Sequence, residues 1–84
     1  MNKKEFIKEL SLRTGYTEEQ CIIINDILEK NFFISKKNKD KIISEIVLKL
    51  EVNIEVATSI YETARKILND GIIYSLKHSF RSKD

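Results

Sequence analysis

The sequence has no proline, no tryptophan and only two glycines among its 84 residues. A fold built from many short strands needs turn residues about every 8 to 12 positions, and proline and glycine supply most of them. Their scarcity argues against an all-β fold and favours helices. With 42% hydrophobic and 33% charged residues, the chain has enough apolar side chains for one folded domain, and it is too short for two.

Residues that carry chemistry are equally scarce. The single cysteine, Cys21, permits no intramolecular disulfide, and the single histidine, His78, has no cysteine or second histidine nearby in the sequence. A metal site or a nucleophile–histidine pair needs several such groups at defined spacing. No glycine-rich phosphate loop is present, and no partner makes Asp26 or Glu29 half of an acid–base pair. We therefore predict a non-catalytic protein with no metal, no cofactor and no small-molecule substrate.

Long hydrophobic runs are also missing. The longest uninterrupted apolar run covers residues 21–24, whereas a membrane-spanning helix needs about 20. Near the start, Glu5, Lys8 and Glu9 precede any apolar stretch that a signal peptide would require. These features predict a cytoplasmic protein without a membrane partner. The heavy use of lysine and isoleucine is typical of an AT-rich bacterial or phage genome.

Apolar spacing predicts four helices. Apolar side chains recur every three or four positions, the interval that places them on one face of a helix. The spans with this pattern are residues 3–14, 17–31, 39–50 and 53–69. The expected fold class is therefore all-α, a single four-helix domain that comprises residues 1–84.

Residues that begin and end helices lie at the boundaries of these spans. Gly15 suits the left-handed position that follows a helix. Thr17 and Gln20 have the spacing of a capping box, in which each side chain accepts a hydrogen bond from the other residue's backbone N–H. Asn53 is a preferred N-cap residue. The second and fourth helices are thus expected to begin just after Thr17 and Asn53.

The C-terminal tail, residues 71–84, gives two conflicting signals. Asn69, Asp70 and Gly71 are typical of a helix end. Apolar residues at positions 72, 76 and 80 nevertheless recur every four residues, as in a helix. This recurrence favours a helix slightly, and a strand is the alternative.

The sequence also contains an internal repeat. Displacing it by 36 positions aligns residues 3–32 with residues 39–68, and seven of the thirty aligned pairs are identical. This alignment predicts two copies of a helix-turn-helix unit, at about residues 3–34 and 39–70, followed by the tail. Two amphipathic helix pairs with loops of equal length would also look alike by chance, and that alternative stays open.

Positive charge is concentrated in two short segments. Residues 35–41 carry a net charge of +3 and residues 71–84 carry +2, whereas residues 1–34 and 42–70 carry −1 and −2. This distribution is typical of a protein whose connecting segments contact a polyanion, although lysine-rich segments can also serve solubility alone. If the partner is DNA, the candidate phosphate contacts in these segments are Lys36, Lys37, Lys39, Lys41, Lys77, His78, Arg81 and Lys83.

The second predicted helix is apolar almost all the way round, because Ile22, Ile23 and Ile24 are consecutive. Such a helix is usually buried on every side. We therefore expect it at the centre of the assembly, between its partner helix and the second copy or another subunit. The candidate interface residues are Leu12, Ile22, Ile23, Phe32, Phe33 and Leu48. Closure of the core is the alternative role for Phe32 and Phe33.

The start of the chain resembles the bacterial HU/IHF histone-like family. It begins Met1-Asn2-Lys3, has an apolar pair at Phe6 and Ile7, and continues through a short turn into a capped second helix. Residues 68–76 also resemble the point at which that family passes from its second helix into its first β-strand. The resemblance covers residues 1–31 well and residues 39–76 less well.

This resemblance implies dimerisation through the helices and DNA bending by β-arms whose tip proline wedges between base pairs. The chain has no proline and no Gly-Arg-Asn-Pro segment, so that wedge is absent. The expected architecture is the helical half of the family in duplicate. The resemblance further implies phosphate contacts at Lys3 and in the basic tail. The partners it implies are double-stranded DNA, a second copy, or another HU-like chain.

Two function classes follow from these observations. The first is weak, sequence-independent DNA binding in a nucleoid- or phage-associated role. The second is a helical protein–protein interaction or oligomerisation module that does not bind DNA.

Overall fold

The computed structural model describes residues 2–33 and 35–82, and it describes their side chains except at positions 36 and 71–82. Within this part of the chain the secondary structure is entirely helical. The elements are α1 (Lys3–Thr14), α2 (Glu18–Lys30), a 3₁₀ turn (Lys36–Asn38), α3 (Lys39–Leu50) and α4 (Ile54–Ser82). The predicted all-α fold class is confirmed. We call α1 and α2 unit one, and α3 and α4 unit two.

Capping side chains fix where the helices begin. The Asn2 side chain accepts a hydrogen bond from the Glu5 backbone N–H at 2.8 Å. Thr17 and Gln20 form the predicted capping box, with reciprocal bonds of 3.1 and 3.0 Å. Asn53 caps α4 by accepting from the Val56 N–H at 2.8 Å. Each cap satisfies an N–H group that has no partner within its helix.

The fourth helix is longer than predicted. Its expected end at residue 69 is wrong, because the backbone stays helical to Ser82. Glycine inside a helix costs only about 1 kcal/mol relative to alanine, so Gly71 does not by itself stop the helix. The slight preference for a helix over residues 72–80 is confirmed, and the strand that the HU/IHF resemblance implied there is not present in the described backbone.

The helix boundaries keep the 36-residue displacement of the internal repeat. Helices α1 and α3 each contain 12 residues and begin 36 positions apart, as do the first residues of α2 and α4. The residues that follow α1 and α3, Gly15 and Glu51, are both left-handed, with φ of 81° and 55°. An internal repeat predicts this constant offset of the helix boundaries. That the two units superimpose in three dimensions stays a prediction.

The four helices form a closed ring around one core. Helix α1 packs against α2 and α4, and α3 likewise packs against α2 and α4. Exchanging the two units maps this pattern of packing onto itself. The fully buried side chains come from all four helices: Leu10, Cys21, Ile24, Ile42, Ile46, Ala57, Ala64 and Ile67.

Helix α2 packs against its partner α1 and against helix α3 of unit two. Its predicted central position is wrong within the single chain, because each helix of the ring packs against two others. The expectation that α2 is buried on every side is also wrong within the single chain. Ile24 is completely buried, but Ile22 and Ile23 are 44% and 40% exposed. The two neighbouring helices cover one side of α2, and nothing in the described part of the chain covers the other.

Helix α2 ends in a Schellman motif that carries phenylalanine in place of the usual glycine. The Phe33 N–H donates to the Leu28 carbonyl at 2.9 Å, and the Phe32 N–H donates to the Glu29 carbonyl at 3.3 Å. Phe32 is the left-handed residue, with φ of 49°, a conformation that glycine adopts far more readily. The turn directs Phe33 into the core, where it is 8% exposed, and leaves Phe32 75% exposed. Phe33 was predicted either as an interface residue or as a residue that closes the core. Its burial gives it the second role.

A buried polar network connects the end of α2 to α3. Asn31 is 3% exposed, and its Nδ2 donates to the Ile27 carbonyl at 2.9 Å and to Glu45 Oε2. The Asn31 carbonyl in turn accepts from Asn38 Nδ2 at 2.7 Å. The hydrogen bond from Asn31, reinforced by Lys30, lowers the pKa of Glu45. The network keeps Glu45 ionised and satisfies the buried amide.

The two left-handed residues that end α1 and α3 allow a matched stability test. Glu51→Gly should raise the free energy of unfolding by about 0.5–1 kcal/mol, because glycine has no Cβ to strain at φ 55°. Gly15→Ala should lower it by about 1–2 kcal/mol: the new Cβ meets no atom within 4 Å, so only the backbone strain at φ 81° counts. Urea denaturation of both variants measures the two changes. A destabilised Glu51→Gly variant would contradict this explanation.

Candidate functional site

The groups most often used in catalysis or metal binding do not converge. Cys21 is fully buried, and burial raises the pKa of its thiol, so the thiol belongs to the core. Among the residues whose side chains the structure describes, no group of three or more histidine, cysteine, aspartate or glutamate residues could hold a metal ion. A functional site must therefore be sought among the surface charges and exposed apolar side chains.

The candidate DNA-contacting lysines with described side chains lie on the surface. Lys37 is exposed in the 3₁₀ turn, and Lys39 and Lys41 are exposed in the first turn of α3. Lys3 is exposed at the start of α1 and forms an ion pair with Glu29, at 3.4 Å between Nζ and Oε1. The side chains of Lys36, Lys77, His78 and Arg81 fall outside the described set, and Lys83 lies outside the described residues.

A depression of about 380 Å³ lies where the first residue of α3 meets the middle of α4. We call it the basic depression; the residues that line it are Lys39, Tyr61, Glu62, Arg65, Lys66 and Asn69. Sequence analysis had identified only Lys39 among them. Arg65 and Lys66 were missed because the prediction used the net charge of whole segments, and the net charge of residues 42–70 is negative although these two cations line one depression.

Aromatic rings and hydrogen bonds hold Arg65 in place. Its guanidinium carbon lies 4.6 Å from the centre of the Phe33 ring and 5.6 Å from the centre of the Tyr61 ring. Its Nη2 donates to the Phe33 carbonyl at 2.7 Å and to the Tyr61 hydroxyl at 2.9 Å. The two rings meet edge to face, with centroids 5.4 Å apart. These interactions fix the position of the guanidinium charge at the edge of the core.

The charge of the basic depression is predominantly positive. Lys39 Nζ lies 5.7 Å from the centre of the Tyr61 ring, so it shares that ring with Arg65. Within the described part of the chain, neither Lys39 nor Lys66 forms an ion pair with a carboxylate. Glu62 is the one acidic residue in the lining. Three cations around a concave surface raise the local concentration of anions.

A second feature of the surface is a set of exposed large apolar side chains. Leu12 and Leu48, which occupy corresponding positions in the two units, are 72% and 77% exposed. The others are Ile22, Ile23, Phe32 and Ile54. Ile54 was missed by sequence analysis because its place as the first residue of α4 gave no sign of its exposure.

In the described part of the chain, no helix combines the length and apolarity needed to span a bilayer.

Comparison with protein-family models, with curated proteins and with solved structures finds no match to this chain. The resemblance to the HU/IHF family therefore stays a hypothesis that depends on the residues quoted for it. The surface itself is the basis for the function proposed below.

Proposed function

We propose that this protein is a non-catalytic DNA-binding protein that holds double-stranded DNA weakly and without sequence preference. The observation that carries the proposal is the continuity of two cationic features. Lys37 is exposed in the 3₁₀ turn, and Lys39 and Lys41 are exposed in the first turn of α3. Lys39 also lines the basic depression together with Arg65 and Lys66. Lys39 thus connects the lysine-rich segment to the basic depression.

The chemistry of these residues supports binding to phosphates rather than to bases. Lysine is a compact, mobile charge, and phosphate contacts position a protein on DNA without reading its sequence. The chain has no proline and therefore no proline wedge to separate base pairs and bend the duplex. Weak, uniform binding follows, in keeping with a nucleoid- or phage-associated role of the HU-like kind.

A gel-shift experiment with a 30-base-pair duplex tests this proposal. At low salt and micromolar protein the duplex should shift, and unrelated duplexes of equal length should shift equally. If about four to six phosphates are neutralised, log K should fall against log salt concentration with a slope of roughly −4 to −5. Absence of a shift at low salt would refute DNA binding.

A second candidate function is supported by the exposed apolar side chains. Leu12, Phe32, Leu48 and Ile54 are each at least 66% exposed, an arrangement that suits a helical protein-interaction or oligomerisation module. Sedimentation of the purified chain distinguishes this alternative. A mass well above 9.9 kDa, together with no shift of the duplex, would favour the interaction module over DNA binding.

A further inference from the structure

The two units differ at positions that correspond in the repeat. Lys3 and Lys39 correspond under the 36-residue displacement, as do Lys30 and Lys66. Between these shared cations, however, unit one has a glutamate, Glu29, where unit two has Arg65. The same helix face therefore has a different charge in each unit.

In unit one the lysines are paired with carboxylates. Lys3 Nζ lies 3.4 Å from Glu29 Oε1, and Asn25 also donates a hydrogen bond to Glu29. Lys30 Nζ lies 3.5 Å from Glu45 Oε1. Each of these two lysines thus has a carboxylate partner already, Glu29 from its own unit and Glu45 from α3. An added anion would compete with those carboxylates.

In unit two the two corresponding lysines keep their positive charge. Lys39 and Lys66 form no ion pair within the described residues, and an arginine, Arg65, stands at the position of Glu29. The concave surface between them has a volume of about 380 Å³, within the usual range of about 300–1,000 Å³ for ligand sites. Glu62 on the lining offsets part of the charge.

The site is also partly organised before any ligand arrives. The guanidinium of Arg65 is fixed over the Phe33 ring and bonded to the Tyr61 hydroxyl. Because Tyr61 is only 4% exposed, it supports Arg65 and Lys39 from beneath and offers no open ring for base stacking. A site of fixed and mobile cations without an accessible aromatic face selects an anionic group rather than a nucleobase.

We infer that the basic depression of unit two is a discrete binding site for a phosphate group, and that the corresponding face of unit one is not. This inference rests on the proposed DNA binding and extends it, because one phosphate of the DNA backbone would occupy the depression. A free phosphate compound has the same chemistry and is the other source of the ligand. Because only one of the two corresponding faces binds phosphate, the chain has a defined orientation on a polyanion.

Two double variants that remove the same amount of charge provide the test. Lys39→Gln with Lys66→Gln neutralises the depression, and Lys3→Gln with Lys30→Gln neutralises the corresponding lysines of unit one. Pyrophosphate is titrated into each ¹⁵N-labelled protein at constant ionic strength, and backbone amide shifts report binding. Melting curves identify any variant that does not fold.

The unaltered protein should show saturable shifts centred on residue 39 and residues 61–69. The first double variant should bind pyrophosphate about tenfold or more weakly, since it removes both lysines of the depression that form no ion pair within the described residues. The second should change the affinity by less than about twofold, because its lysines face carboxylates already. Equal weakening in both variants, or shifts spread evenly over both units, would overturn the inference.

The duplex shift assay with the unaltered protein separates this inference from the proposed function. If pyrophosphate binding distinguishes the two double variants but no duplex is shifted, the phosphate site stands, its ligand is a free phosphate compound, and DNA binding is refuted. If the duplex is shifted but pyrophosphate binding does not distinguish the two double variants, DNA binding stands and the discrete site is refuted.

Discussion

Replacing Ile24 by alanine should lower the free energy of unfolding by about 2–5 kcal/mol, the range for removing a large aliphatic group from a packed core. Ile24 is completely buried in α2, which packs against both α1 and α3. A cavity there loosens the packing within unit one and between the two units. Because small domains are stable by only about 5–15 kcal/mol, the variant should unfold at a much lower urea concentration.

Two further substitutions serve as controls, one at the corresponding buried isoleucine of unit two and one at a partly exposed isoleucine of α2. Ile60 is the repeat counterpart of Ile24 and is 2% exposed, so Ile60→Ala should cost a similar amount. Ile22, next but one to Ile24 in the same helix, is 44% exposed, and Ile22→Ala should cost less than about 1 kcal/mol. If Ile22→Ala proves as costly as Ile24→Ala, Ile22 is covered in solution by a second chain, which concentration-dependent melting would reveal.

Changing Lys36, Lys37, Lys39 and Lys41 together to glutamine should weaken DNA binding on the order of 100-fold at low salt, because each neutralised phosphate releases about one counterion. The magnitude of the slope of log K against log salt should decrease by about one unit for each phosphate that is no longer neutralised, from roughly 4–5 to about 0–1. Fluorescence anisotropy of a labelled duplex at several salt concentrations measures both quantities.

A second quadruple variant has the same net charge and tests whether position matters. It changes four lysines that lie outside the lysine-rich segment, namely Lys4, Lys8, Lys30 and Lys49, to glutamine. Its affinity should fall only slightly, and its salt slope should stay close to that of the unaltered protein. Equal weakening by the two variants would mean that net charge alone governs binding and that no defined surface exists.

The parts of the fold that local chemistry determines could be predicted from the sequence. The capping box at Thr17 and the N-cap at Asn53 each depend on a side chain and a backbone group three residues away, so sequence spacing is sufficient. The end of α4 was predicted wrongly because Gly71 only disfavours a helix by a small energy, and the recurring apolar residues beyond it continue the helical period.

The candidate site was less predictable, because it depends on interactions between distant segments. Arg65 takes its position from Phe33, which lies 32 residues earlier in the sequence. No rule of sequence spacing connects these two residues. Phe33 turns into the core because the backbone at Phe32 is left-handed, and a phenylalanine in the sequence does not predict that conformation. The exposure of Ile22 and Ile23 likewise depends on where α1 and α3 pack, which the apolar character of α2 alone could not establish.

The closed ring of helices affects how quickly the chain folds, because closing it requires contact between segments that are distant in the sequence. Every helix interface except α1–α4 joins elements that are neighbours along the chain. Mostly local contacts are typical of helical domains that fold within microseconds to milliseconds. The α1–α4 interface alone brings distant segments together, and the ion pair from Arg13 to Asp70 that joins these helices is a long 3.4 Å and contributes little. Completion of the ring, rather than formation of either helix pair, is therefore the slow event expected in refolding.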